Sequence, residues 1–400
     1  MKTTTSHAPH TADHAAAPMS GALVGLFALC AGVLVANLYY AQPIIELIAP
    51  AVGLSAQSAS VIVSLTQIGY AVGLFFLVPL ADLQENRRLL TISGVAAAIS
   101  LAGAATASQP GVFLLVSLLL GLSSVSVQIL IPLAANLAPE ALRGRTVGTI
   151  MGGLLSGILL SRPLSSLLAQ YFGWRAVFYI AAATTLITVG IITTTLPRRT
   201  PQHRATYAQL LVSLWHLFTR FAVLRQRSLY QALLFAAFSL FWTAAPLELA
   251  SHYGLSQSQI GVFALVGALG AVAAPVAGRL ADAGHTRIAS FLAMIAAAIS
   301  FIPGIAGGAG GLYWLALTGI VLDFAVQMNM VLGQRAIYAL DAASRGRLNA
   351  LYMTAIFAGG AVGSALASTL YTHLGWAGVV AAGSGLATVS LVALAIASRR

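Results

Sequence analysis

Of 400 residues, 7% are charged and 59% hydrophobic, and the formal net charge is +11. An ordinary soluble domain carries about 25% charged residues, so this chain has too few to cover a water-facing surface. The excess of base could suggest nucleic acid, but its placement along the chain argues for a membrane instead.

Apolar residues come in runs of about 20, the length that crosses the hydrocarbon layer as a helix. Strands of a barrel would need only about 10 alternating residues each, and backbone groups in lipid must be paired within the run. The chain is therefore expected to be an all-α polytopic membrane protein.

Residues 1–20 are polar and weakly charged, and the apolar run after them is too long for a signal-peptide core. They are expected to form a disordered cytoplasmic tail. His7, His10 and His14 in that tail lack a Cys or a matched partner, so no metal site is expected there. Twelve spans follow, at 22–48, 58–81, 89–107, 111–135, 146–169, 175–196, 229–250, 258–279, 287–308, 311–335, 348–370 and 376–397. Six fall in an N-terminal bundle over 21–197 and six in a C-terminal bundle over 229–400, with a linker at 198–228.

The first span carries the lone cysteine, Cys30, which excludes an intrachain disulfide. It also carries Tyr39 and Tyr40 and, past Pro43, Glu46. The second ends in V-P-L-A-D at Asp82, with Arg87 and Arg88 following. The fifth holds Arg162 and a small residue at every fourth position, Gly153, Gly157, Ser161 and Ser165. Such stripes let helix backbones approach closely in lipid. In the linker, Leu210, Leu211, Leu214, Trp215, Phe218 and Phe221 recur at helical spacing, with His216 and Arg220 on the other side. An amphipathic helix over Tyr207 to Leu224, lying on the inner leaflet, is expected. The seventh span carries Phe241 and Trp242 and, past Pro246, Glu248. The eighth ends in G-R-L-A-D, Gly278 to Asp282, with Arg287 after it. In the tenth, Asp323, Gln327 and Gln334 share one face. The eleventh repeats the small stripe at Ala355, Gly359, Gly363 and Ala367.

When the connections are numbered alternately inside and outside, every Lys and Arg except Arg162 and Arg175 falls on one side. The positive-inside rule makes that side the cytoplasm and places both termini there. The chain also reads as one unit written twice. L-A-D recurs about 200 residues on, and G-L-S at Gly53 returns at Gly254. R-G-R at Arg143–Arg145 returns at Arg345–Arg347, and F-G-W at Phe172–Trp174 returns as L-G-W at Leu374–Trp376.

Ionisable groups inside spans cost about 2.5–3.5 kcal/mol each at mid-helix, which makes Glu46, Arg162, Glu248 and Asp323 the candidates for a site. Arginine stays protonated, so Arg162 needs an anion, either Asp323 at similar depth or a substrate. The Asp323 face is expected to line a water-filled cavity or to join a hydrogen-bond network between helices. Glu46 and Glu248 could carry a coupling proton or be hydrated carboxylates at helix ends. Tyr39, Tyr40, Phe241 and Trp242 could line the cavity or form an interfacial belt.

Six plus six spans, a basic central linker and L-A-D after the second and eighth spans resemble the major facilitator superfamily, over essentially the whole chain after residue 20. That family's loop motif reads roughly G-x-x-x-D-x-x-G-x-R-R. Gly278, Asp282 and Arg287 follow it, whereas the first copy keeps Asp82, Arg87 and Arg88 but has Val78 and Glu85 for the glycines. The resemblance implies two pseudo-symmetric six-helix bundles with cytoplasmic clamps at these loops, Asp82 meeting an arginine such as Arg145, with Arg347 its counterpart. In the fifth span, G-I-L-L-S-R-P-L-S-S (Gly157–Ser166) is similar to the G-P-x-x-G-G signature of drug exporters and keeps Pro163.

The implied function is secondary active transport by alternating access, with proton-coupled efflux of small, largely apolar compounds. The alternatives are a proton symporter importing a small polar or anionic metabolite, anchored on Arg162, and a non-transporting receptor or scaffold. An enzyme would need clustered His, Cys or acidic residues at mid-span, and a nucleotide-driven pump a G-x-x-x-x-G-K-[ST] run; neither is found. The expected partners are a small-molecule substrate, protons and the bilayer of a cell membrane. No nucleic acid, no cofactor and no metal are expected, and the protein is expected to be a monomer.

Overall fold

Helices make up every regular element of this computed structural model, with no strand among the described residues. The structure describes residues 20–139, 142–198, 206–305, 311–341 and 344–398. The tail predicted over 1–20, apart from Ser20, lies outside the described residues, as do Arg199 and Arg204 of the linker and Arg399 and Arg400 at the C-terminus.

The first predicted span is broken in two, α1 (Gly21–Ala36) and α2 (Ile45–Ala51), joined by turn residues and a short 3-10 stretch, Gln42–Ile44. Pro43 lacks an N–H and its ring crowds the carbonyl four residues back, which kinks or breaks a helix; here the chain breaks. There follow α3 (Val61–Phe76), α4 (Asn86–Thr106), α5 (Pro110–Ser123), α6 (Ser126–Leu137), α7 (Arg143–Phe172) and α8 (Trp174–Thr195). The linker contributes α9 (Tyr207–Arg220). The second half is built from α10 (Ala222–Ser251), α11 (Gln257–Ala264), α12 (Ala273–Asp282), α13 (Thr286–Ser300), α14 (Gly311–Tyr338) and α15 (Arg345–Ala397). Between α11 and α12 the chain stays helical but tightens to 3-10 over Leu265–Val272.

Nine helical stretches among the described residues are long and apolar enough to cross a membrane, and the apolar helices Gly21–Ala36 and Thr286–Ser300 are shorter. One of the nine, α15, is two helices meeting at Gly375, where φ is 62° and ψ is −162°. Counted this way, the helices fall at the twelve predicted spans. Leu29, Ile99, Ile187 and Leu292 stand on the outside, each about 60% exposed or more, as helices facing lipid require.

The repeats seen in the sequence are repeated local conformations. Gly53 and Gly254 both have positive φ, 80° and 61°, and so do Gly173 and Gly375, 81° and 62°. A side chain at such a turn clashes with the backbone, so G-L-S and the G-W pair mark places where the chain must reverse between spans. The small stripes are equivalent too. A Cβ on Gly157 of α7 would strike the carbonyl of Gly32 on α1, and one on Gly359 of α15 would strike that of Ala232 on α10. Gly157→Leu is therefore expected to split α7 from α1. Overpacking costs about 1–3 kcal/mol even where neighbours can yield, and backbone cannot. A lower melting temperature in detergent, or loss of folded protein, is the expected reading.

The linker helix α9 opens with a reciprocal capping box between Thr206 and Gln209. It ends at Arg220 rather than Leu224, since the backbone is extended at Phe221 and α10 begins at once. Leu210, Leu214 and Leu217 are buried against the helical core, whereas Trp215 is 64% exposed. The apolar face thus packs on protein, and Trp215 stays outside.

Candidate functional site

Two irregular stretches pack against α7. One is the break between α1 and α2, which places Gln42; the other is the 3-10 stretch 265–272, which faces Asp323. Irregular backbone at membrane depth is tolerated only where protein or a cavity covers it.

Arg162, on α7 just before Pro163, is 4% exposed. Its Nε donates to Gln42 Oε1 at 2.9 Å, and Gln42 Nε2 donates in turn to Thr243 Oγ1 at 3.2 Å. The guanidinium carbon lies 4.7 Å from the ring centre of Trp242, 5.2 Å from Tyr39 and 5.7 Å from Phe238. Nη2 is buried without a hydrogen-bond partner. Toward the Glu46 end, Pro43, Trp242, Pro246 and Phe263 close over the guanidinium, leaving a void of about 10 Å³.

Asp323, on α14, is also buried, and its Oδ1 accepts the Trp242 indole N–H at 2.7 Å. Among the described residues no direct ion pair joins it to Arg162, although the two charges interact. Trp242 stands between them, bonded to the acid by its edge and covering the base with its face. A Cβ on Gly267 or Gly270 would strike the Asp323 side chain. In the first half the matching crossing is backbone on backbone: Gly121 meets the carbonyl of Thr66, and Gly69 that of Leu118. Asp323 thus occupies, 202 residues on, the place of a glycine. The 3-10 stretch makes room for it.

The other candidates separate. Tyr40 packs in the first-half core with Ile44 and Ala97, and Phe241 packs edge-on to Phe301 and Trp376. Consecutive helical residues point in different directions, so on α10 Trp242 faces Arg162 while Phe241 faces away; in the turn after α1, Tyr39 faces Arg162 and Tyr40 does not. Gln327 is half-buried and takes no part in the Asp323 contact. Gln334 donates to Asn349 Oδ1 at 3.4 Å, so both ends of the predicted polar face are held in bonds between helices. Glu248 is buried and accepts from Tyr371 Oη at 2.9 Å. Glu46 is half-buried and close enough to act electrostatically on the same tyrosine.

Contacts between the two halves line the Glu46 end. Ser60 and Ser368 exchange backbone N–H to hydroxyl bonds of 3.1 and 3.2 Å. Ser64 Oγ donates to Ala361 O at 2.8 Å, and Gln257 Nε2 to Pro43 O at 2.6 Å. At the arginine-rich end, by contrast, a cavity of about 140 Å³ is lined by Asp82, Asn86 and Gln128 from one half and by Arg347 and Asn349 from the other.

Around that cavity the clamp residues divide. Asp282 pairs with Arg335, whose Nη1 also donates to Gly278 O at 2.8 Å. Arg347 donates to Ser213 of α9 and to Ser344, and Arg287 to Ser398 O. Arg145 and Arg88 are exposed and Arg87 is half-buried. Sequence reasoning missed Gln42, Phe238, Arg335 and Tyr371. Phe238 had a signal, since it lies one helical turn before Trp242, and so did Gln42, beside the helix-breaking Pro43. Tyr371 had none.

The family described as the Major Facilitator Superfamily matches residues 27–229 and again 227–400. The uncharacterized transporter YgaY of Escherichia coli O157:H7 is 40% identical over 375 residues, covering 94% of this chain and 95% of that protein. Probable transporter SCO4007 of Streptomyces coelicolor is 33% identical over 392 residues, with 95% and 90% covered. Among solved structures, a mutant form of the nucleoside transporter NupG superposes with a TM-score of 0.75 at 17% identity, over 93% of this chain and 99% of that one. A D-xylose-proton symporter gives 0.69 at 18% identity, over 93% and 97%.

Proposed function

The chain belongs to the Major Facilitator Superfamily, and from that membership we propose that it is a proton-coupled secondary active transporter working by alternating access on a small molecule. The observation that carries the reading is the asymmetry of its two ends. Hydrogen bonds between the halves seal the Glu46 end, and a two-sided cavity opens at the arginine-rich end, with buried charge between them. Rocking one bundle of helices against the other would exchange the sealed and open ends around that central site. The domain limits predicted from sequence, 21–197 and 229–400 about a linker, describe the two moving bodies. The arginine-rich end faces the cytoplasm by the positive-inside rule, in the inner or plasma membrane, and the protein acts as a monomer.

Two cargoes compete. Efflux of small, largely apolar compounds agrees with the rings of Tyr39, Phe238 and Trp242. Proton-driven uptake of a small polar or anionic metabolite agrees with the buried, half-partnered guanidinium of Arg162. The second is favoured, since rings alone do not require a charge whose burial costs several kcal/mol.

Purified protein in liposomes that enclose a pH dye, challenged with panels of organic acids, neutral solutes and amines, tests the reading. At least one panel should move protons across the bilayer faster in protein-containing than in protein-free vesicles. Vesicles that move neither protons nor any labelled solute would sink it.

A further inference from the structure

The geometry points to a small organic monocarboxylate and a proton as joint occupants of the central site, the carboxylate on Arg162 and the proton on Asp323. The inference rests on the transporter reading and specifies its cargo and the sense of its coupling.

A guanidinium offers five N–H donors in a planar fork that matches a carboxylate. In Arg162 one of them, on Nε, is used by Gln42, and Nη2 is buried with no partner. A buried polar group left unmade is costly, and a carboxylate oxygen at Nη2 would satisfy it with a charge-assisted bond. Asp323 does not serve as that partner, because its Oδ1 is turned to the Trp242 N–H. Of the three rings around the guanidinium, Phe238 is the half-buried one, and its face offers apolar surface for the rest of the ligand. A phosphate dianion would bring a second charge that one cation cannot balance.

Charge counting gives the coupling. With Asp323 ionised, the site sums to zero and an arriving anion is repelled by the aspartate. With Asp323 protonated, the site carries one positive charge and the anion neutralises it. Anion and proton therefore favour the same state, which is the condition for moving together rather than in exchange. The groups facing Asp323 leave it as the titrating partner. Arg162 and Tyr39 are the charged or titratable groups that act on the pair. Gly267, Gly270 and Trp242 bring none. Other charged groups of the packed elements have partners elsewhere, among them Arg227 with Ser290, Arg335 with Asp282, Arg287 with Ser398, Arg347 with Ser213 and Glu248 with Tyr371. None of them, nor Tyr230, Tyr338 or Tyr352, is among the groups acting on Asp323.

Isothermal titration of the purified full chain with benzoate, in two buffers of different ionisation enthalpy, tests the inference. Benzoate should bind with uptake of about one proton. Benzamide, its neutral isostere, should bind about tenfold more weakly or less well still, with no proton uptake. Asp323→Asn should keep benzoate binding and lose the proton uptake. Arg162→Lys, which keeps the charge without the fork, should bind benzoate several-fold more weakly. No benzoate binding, binding without proton uptake, or equal binding of benzamide would each overturn the inference. If only neutral solutes drive proton movement in the vesicles, the inference falls and the transporter reading stands. If benzoate binds with its proton but no panel moves protons or solute faster than protein-free vesicles do, the site chemistry stands and the transporter reading falls.

Discussion

The double replacement Arg162→Met with Asp323→Asn is expected to abolish proton-driven accumulation while raising the melting temperature of the purified protein. Both side chains are buried, and they face each other across Trp242 without touching. Burying two charges costs several kcal/mol each, and only close, fully bonded geometry recovers it; exchanging such a pair for neutral residues is often stabilising by about 1–4 kcal/mol. Here the recovery is incomplete, because Arg162 Nη2 has no partner. Methionine fills similar length and packs well against aromatic rings, of which Arg162 meets three. Asparagine keeps an oxygen for the Trp242 N–H. A structural ion pair predicts the opposite, a protein that melts lower. A higher melting temperature with lost transport would mark the charges as kept for function at a cost in stability.

The architecture was legible because membranes impose simple rules. Runs of apolar residues must be helices, and arginines sort to one end. Even the turns could be read, since the glycines of G-L-S and G-W return at positive φ in both halves. The site was legible in its charges but not in its contacts. Insertion cost singled out Arg162 and Asp323 as residues that need a reason, but depth alone left open whether Arg162 meets Asp323 or a substrate, and the structure interposes Trp242. The aromatics were chosen as neighbours in sequence, Tyr39 with Tyr40 and Phe241 with Trp242, although the turn after α1 separates the first pair and helical geometry turns the second apart. Phe238 with Trp242 is the spacing that shares a face. The 3-10 stretch 265–272 had no pattern of its own. It becomes intelligible only once Asp323 is seen at the crossing where the first half has Gly121. The Asp282–Arg335 pair was hidden for a related reason, since position 133, which matches Arg335 in the first half, holds leucine.

Cross-linking the sealed end should stop transport altogether and reversibly. Ser60 and Ser368 come from opposite halves, are both buried, and exchange bonds of 3.1 and 3.2 Å. Such reciprocal contact brings their backbones into the range in which a disulfide forms, about 4.4–6.8 Å between Cα atoms. The natural chain has a single cysteine, Cys30, which is buried, so Cys30→Ser clears the background. In the Ser60→Cys, Ser368→Cys protein, oxidation holds the ends of α3 and α15 together. Opening at this end requires their separation, because the same two helices also share the Ser64 to Ala361 bond. A carrier that cannot open one end cannot return its site to that side, so net flux and exchange should both cease; a reductant should restore them. Either cysteine alone should transport normally. Benzoate should still bind the oxidised protein through the arginine-rich end, where the cavity lined by Asp82 and Arg347 remains. Undiminished flux after complete cross-linking would mean that the Glu46 end never opens, and alternating access would then be the wrong description of this protein.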